Sequence, residues 1–243
     1  MLTVILNDIQ LPFADKPVLD KVIDFISELP VGQVVLNGDI VDCFTLSDFD
    51  RNPLTEATLL DEIREAQQLM VALEHIDNCI WIGGNHEDRL RRYIWNHAKA
   101  FAGIAGLEFQ NLFDLSTYGF NWIPYGSGLD LGRLYVTHGE YVRTASGASA
   151  RKHFEEYGTS VIHGHTHRLG AYYKTRRRKM SVAYENGCLC SMYPGEWCRN
   201  PDWQQGFSIV HSELSGEFNV QQVPIFAVGE KKVFYYGGEK FEI

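Results

Sequence analysis

The chain has 243 residues, 45% hydrophobic and 22% charged, a composition that fits a globular protein with a sizeable core. Its net charge of -9 argues against a broad basic face for gripping nucleic acid, although bound cations can reverse the local field for a polyanionic substrate. No apolar run approaches the roughly 18 residues of a membrane span, and Met1 to Asp8 shows no basic flank or cleavage-type segment, so the expectation is a cytoplasmic protein without membrane contact.

Short apolar runs alternate with helical periodicity over the first two thirds of the chain. Leu2 to Leu6 reads as a strand, and Asp15 to Leu29 as a helix whose stripe is Val18, Val22, Phe25, Ile26 and Leu29. A strand at Gln33 to Leu36 precedes a helix at Thr55 to Glu74, and a strand at Cys79 to Ile82 precedes a helix at Glu87 to Asn96. After a looser stretch come strands at Asn121 to Pro124 and Leu134 to Thr137, a helix at Ser149 to Tyr157 and a strand at Ser160 to Ile162. The helical pattern then stops. Leu169 to Lys174 and Met180 to Tyr184 read as a hairpin around Arg176 to Lys179, and Phe207 to His211 and Phe218 to Val223 as another around Ser215-Gly216. Val233 to Tyr236 adds a last strand. With no low-complexity linker and no repeat, the expectation is one α/β domain over residues 1–243, two packed mixed sheets flanked by helices, with the hairpin strands from about residue 205 completing or extending the second sheet.

The chemistry lies where the strands end. The runs finish in Asn7-Asp8-Ile9-Gln10, Gly38-Asp39-Ile40-Val41-Asp42, Gly83-Gly84-Asn85-His86-Glu87, His138-Gly139-Glu140 and His163-Gly164-His165-Thr166-His167. Ligands of open α/β sheets bind beyond the carboxyl ends of the strands, so these groups are expected to converge on one crevice. Oxygen and imidazole donors together suit Mn²⁺, Fe or Zn²⁺ better than Ca²⁺. A carboxylate can bridge two such cations, which activate water, orient a phosphoryl group and neutralise its charge, so that no protein nucleophile is needed.

These five segments, in this order, resemble the calcineurin-like metallophosphoesterase superfamily, whose series is DxH, GDxxD, GNHE or GNHD, a later H, and GHxH. The resemblance spans residues 3 to 187. It implies a four-layer αββα sandwich and hydrolysis of phosphate monoesters or diesters by two divalent metal ions, manganese first, with iron, zinc and magnesium as alternatives. It implies that Asp39 bridges both metals, that Asp8 and His167 bind the first, and that Asn85, His138 and His165 bind the second. His86 is implied as the group that protonates the leaving oxygen or stabilises the phosphate. Gln10 stands where the family has histidine and offers a weaker amide oxygen to the first metal. A nuclease of the same superfamily is the alternative enzyme, and a scaffold without turnover is the reading from another class.

The remaining candidates are weighed against ordinary roles. Asp42 and His163 are expected to support the ligands without touching a metal, and Arg143 is taken as the phosphate contact. Arg89, Arg151 and Lys152 also follow strand ends, the last two as helix-surface residues by default. The run Arg176 to Lys179 reads as a solvated turn. Tyr125, Tyr193, Trp197 and Trp203 are pocket-wall candidates able to stack on a nucleobase, although packing is their commoner role. His75, His97, His153 and His211 default to structural or surface positions. Asn7 is equally a turn residue or a partner that tunes Asp8. Five cysteines without a CxxC pair (Cys43, Cys79, Cys188, Cys190 and Cys198) fit free thiols, with Cys188 and Cys190 as same-face residues of a strand. Substrate and oligomeric state are not expressed in the sequence.

Overall fold

The computed structural model describes residues 1–48, 54–192 and 201–243. Strands β1 (Leu2–Leu6), β2 (Gln33–Asn37) and β3 (Cys79–Ile82) are buried over almost their whole length, as parallel strands covered on both faces must be. Helix α1 (Lys16–Ser27) opens with Pro17, where the missing N–H costs nothing, and buries Val18, Val22, Phe25 and Ile26. Helix α2 (Leu59–Leu73) starts later than the apolar periodicity suggests. The Thr58 side chain accepts from the Asp61 N–H while the Asp61 carboxylate accepts from the Thr58 N–H, a reciprocal cap that fixes the first turn.

Helix α3 (Asp88–His97) is followed by 3₁₀ turns, a one-turn helix α4 (Phe109–Leu112) and strand β4 (Phe120–Ile123). Strands β5 (Gly128–Leu131) and β6 (Leu134–Thr137) form a hairpin closed at Gly132-Arg133. Helix α5 (Ala148–Tyr157) ends at Gly158 in the left-handed region, and β7 (Ser160–His163) follows. Strands β8 (Leu169–Arg176) and β9 (Lys179–Asn186) pair to their tips. The turn is therefore Arg177-Arg178 alone, both with positive φ, and not the four-residue tip expected. Strands β10 (Gln205–Ser212), β11 (Phe218–Val228), β12 (Lys231–Tyr236) and β13 (Glu239–Glu242) complete the chain as a meander.

These strands make two sheets, one ordered β13-β12-β11-β10-β1-β2-β3-β4 and one ordered β5-β6-β7-β9-β8, so the strands from Gln205 onward extend the first sheet, where β10 pairs with the free edge of β1, and not the second as expected. The sheets meet through Ile5, Val35, Ile82 and Val210 on one side and Leu134, Val136, Ile162 and Val182 on the other. The outer face of the first sheet packs Val4, Leu6, Val34 and Leu36 under α1 and α2. The outer face of the second packs Val161 and Ala183 under Ala150 of α5. The result is the expected four-layer αββα sandwich. Because β1, β2 and β3 are parallel, as are β6 and β7, their carboxyl ends lie along one edge. Bonds across the seam confirm the convergence: Asn37 Nδ2 donates to the Thr137 carbonyl at 2.9 Å and the His165 N–H to Asp8 Oδ2 at 2.9 Å. Among the described residues no helix is long and apolar enough to cross a membrane.

Candidate metal centre

Asp8, Gln10, Asp39, His165 and His167 all adopt positive φ, between 50° and 68°. Left-handed backbone costs a non-glycine residue roughly 1–2 kcal/mol. Five such residues at one crevice mean that the surrounding fold holds these side chains in place against that cost. Glycines supply the clearance: a side chain on Gly84 would run into the Asp39 carboxylate, and one on Gly164 into the Asp8 carboxylate.

The donors fall into two groups that share Asp39. Donor atoms of Asp39, His138 and His165 lie within 4.8 Å of one another, and so do those of Asp8, Asp39 and His167. In the second, His167 Nε2 is 3.1 Å from Asp8 Oδ1 and 3.2 Å from the Gln10 side-chain amide, so Gln10 points at this cluster. In the first, His138 Nε2 is 3.2 Å from both Asp39 Oδ2 and Asn85 Oδ1. The His138 Nδ1–H donates to the Asn37 carbonyl at 2.9 Å, which leaves Nε2 facing the cluster.

The electrostatics suit a site that gathers cations. Burial pushes the Asp39 carboxyl up, but His138, His86 and His165 outweigh it and hold it well below the carboxylate range. Burial pulls His138 down, yet Asp39 more than reverses this and raises its pKa to about 9. Asp8 and Cys190 likewise overcome burial at His167 and lift it well above its ordinary value. His165 goes the other way, to about 4, because burial and neighbouring His138 both disfavour its charge. Asp8 Oδ1 is buried with His167 Nε2 as its neighbour at 3.1 Å, an acceptor facing the cluster.

His86 belongs to neither donor group. Its N–H donates to Asp39 Oδ1 at 2.9 Å, while its ring turns towards Asp42 and Arg89. Arg89 Nη1 donates to both the carbonyl and the carboxylate of Asp42 at 2.7 Å, and Nη2 lies 3.1 Å from His86 Nε2. Burial lowers the His86 pKa, and Asp39 and Asp42 outweigh it and raise it. Asp42 thus supports the imidazole from outside both clusters. His163 is fully buried, donates its Nδ1–H to the Gly164 carbonyl at 2.8 Å, and stacks on His153 with ring centroids 3.8 Å apart. Arg143 is exposed, with its guanidinium on the Val142 carbonyl. Arg89, at the start of α3, is the arginine in contact with His86 and Asp42.

Among the neighbours, Glu87 is given no role by the sequence alone. Glu87 accepts the N–H groups of Asp39, Ile40, Val41 and Gly84, tying two ligand-bearing loops together. Asn7 bonds Asp8 Oδ2, which favours the tuning role over the plain turn role. His153 is buried and accepts the Glu140 N–H, so it holds the turn after His138. Trp203 lies on His167, centroids 4.3 Å apart, and Tyr125 sits edge-on to His138 at 6.4 Å. Tyr193, Trp197 and Cys198 lie outside the described residues.

A profile of the calcineurin-like phosphoesterases matches residues 1–169, more than two thirds of the chain. The chain belongs to the calcineurin-like phosphoesterase family. This calcineurin-like phosphoesterase is similar to the Gene 54 proteins of Mycobacterium phages L5 and D29. Each is 28% identical over 223 residues, covering 85% of this chain and 87% of the phage protein. Its fold also resembles Vps29 of Chaetomium thermophilum, at 9% identity and a TM-score of 0.51, over 100% of this chain and 94% of that one. Family membership makes a hydrolase acting on phosphate esters the coarse description of the chain, and the two donor groups are where such an enzyme would hold metal.

Proposed function

We propose that this phosphoesterase hydrolyses phosphate esters at a dinuclear centre in which Asp39 bridges two divalent ions. The observation that carries the reading is that Asp39 is common to both donor groups. The residues fit a metal pair. Buried carboxylates face buried imidazoles, Asp8 Oδ1 faces His167 Nε2, and the mixture of oxygen and nitrogen donors suits manganese, with iron, zinc or magnesium as alternatives. Asp8, Gln10 and His167 would hold one ion and Asn85, His138 and His165 the other. Such a pair supplies activated water and neutralises charge on the phosphoryl group.

The chain's own residues do the rest. His86 would protonate the leaving oxygen from Nε2 once Arg89 Nη2, 3.1 Å from that nitrogen, has turned to the phosphate, with Asp42 holding the ring through Nδ1. Arg89 converges on the same point and takes a phosphoryl oxygen, the role first assigned to Arg143. The free thiols at Cys43, Cys79, Cys188 and Cys190 support a reducing cytoplasm as the setting.

The test is hydrolysis of p-nitrophenyl phosphate and its bis ester by metal-depleted protein resupplied with Mn²⁺, beside metal analysis of Asp39→Asn. Metal-dependent turnover of one ester, and loss of both ions in the variant, are expected. Two ions per chain retained in Asp39→Asn would remove the bridge. Turnover of the bis ester over the monoester would select the diesterase, the class to which nucleases belong.

A further inference from the structure

His167 faces two ways. Nε2 lies 3.1 Å from Asp8 Oδ1, and Nδ1 lies 3.5 Å from the sulfur of Cys190. The donor atoms of His167, Cys188 and Cys190 all lie within 4.8 Å of one another, and all three residues are buried. Donors bound at about 2.0–2.3 Å to a single ion are no more than about 4.6 Å apart, so small side-chain rotations suffice to close this set on a cation. The backbone explains the pairing. Cys188 bridges to Gln205 and Cys190 to Ala14, so the extended chain sends Leu189 into the helix-side core and both thiols to the opposite face. Among the described residues neither Cys43 nor Cys79 joins a donor cluster.

We propose that His167, Cys188 and Cys190 form a sulfur-lined site for a soft divalent ion such as Zn²⁺ or Cd²⁺, sharing His167 with the hydrolytic centre. Thiolate donors select such ions over the hard cations that suit carboxylate and amide oxygens. Each thiol releases its proton to solvent as its sulfur takes the ion, as His167 does with any proton on Nδ1, and no oxidant is required.

The sharing has a direct consequence, which rests on the dinuclear reading. A neutral imidazole has one lone pair, at Nδ1 or at Nε2. An ion at Nδ1 leaves the proton on Nε2, facing Asp8, and takes the only imidazole from the first hydrolytic position. The two sites therefore oppose one another. A soft ion weakens manganese binding at the first position, and manganese weakens the soft ion in return.

Titration of metal-free wild type with Cd²⁺ and with Co²⁺, followed by sulfur-to-metal charge-transfer absorption, tests the site without reference to turnover. One equivalent is expected. It is lost in Cys188→Ala/Cys190→Ala and kept in Cys43→Ala/Cys79→Ala/Cys198→Ala, and Mn²⁺ shifts the Cd²⁺ curve to higher concentration. No absorption in wild type, or its survival in the Cys188/Cys190 variant, overturns the proposal. Should that variant fold poorly, cadmium NMR of wild type decides alone: a deshielded, sulfur-type resonance supports the site, and oxygen- and nitrogen-type resonances only overturn it. Absence of the sulfur signal leaves the phosphoesterase reading standing, whereas a Cd²⁺ curve indifferent to Mn²⁺ removes the shared histidine.

Discussion

His86 Nδ1 lies 3.2 Å from the carbonyl oxygen of Asp42 and 3.4 Å from its carboxylate. Together with Asp39, this carboxylate raises the His86 pKa against the effect of burial. A raised pKa keeps an acid catalyst protonated to higher pH, so the alkaline limb of the rate profile should lie above that of an ordinary histidine. Asp42→Asn should move that limb to lower pH. His86→Ala should keep both metals and lose about 10²–10⁴ in kcat, most for substrates with poor leaving groups. Wild-type turnover of an alkyl phosphate by His86→Ala would end its assignment as the acid, and an unmoved limb in Asp42→Asn would end the coupling.

Arg89 and Arg143 separate cleanly by position, one against His86 and the other on the surface. Arg89→Ala should lower kcat/KM by roughly 10- to 100-fold, the loss of one charge-assisted contact, while Arg143→Ala leaves it within about twofold. Steady-state kinetics of the two variants on one ester decides between them. The opposite order would return the phosphate to Arg143.

Gln10 approaches His167 Nε2 with its side-chain amide at 3.2 Å, in the place of an expected second imidazole. The first position should therefore fill after the second, and activity should rise in two stages as Mn²⁺ is added. Gln10→His should tighten the first position and merge the stages. Equal affinities in wild type, unaltered by the substitution, would mean that Gln10 is no compromise.

Protons compete with metal at His138. Its pKa of about 9 means that at neutral pH the imidazole carries a proton that an incoming ion must displace. Apparent affinity at this position should rise with pH up to about 9, by as much as tenfold per unit for one proton. Calorimetry in buffers of different ionisation enthalpy reads the released proton directly, and buffer-independent heats would refute the competition.

Glu87 accepts four backbone N–H groups from two loops, an arrangement no neutral side chain can copy. Glu87→Gln sets an amide N–H against two of these donors and should cost about 2–4 kcal/mol of unfolding free energy, with weakened metal binding. Urea unfolding of the variant measures the cost. A loss below about 0.5 kcal/mol would mean the loops hold themselves.

The strand ends were legible because donor type, glycine spacing and order all survive in a linear reading. Asp8, Asp39, Asn85, His138, His165 and His167 come together in space as their order suggests. The left-handed backbone beneath five site residues was not legible, since no local preference of Asp, Gln or His selects it and only the surrounding fold enforces it. Arg89 carried a readable clue, three residues after His86 across the turn that opens α3, but helix arginines are usually solvated. The partnership of Cys190 with His167 crosses two loops and has no sequence signature. Strands β5 and β13 escaped because Gly128–Leu131 and Glu239–Glu242 carry acidic residues and no apolar run of the kind that marks β3 or β6.

Strand β1 takes β2 on one edge and β10 on the other, with Leu2 opposite His211. On the ribosome, at about 5–20 residues per second, those two partners emerge roughly 9 to 34 seconds apart. Throughout that interval the nascent chain shows an unpaired apolar strand edge beside the loop that carries Asp8. The late segment also supplies the Leu189 and Cys190 N–H groups that bond the Asp8 carbonyl. A chain stopped at the end of the family-matched residues 1–169 would therefore hold every donor proposed for the dinuclear centre and still lack the wall that fixes the first of them.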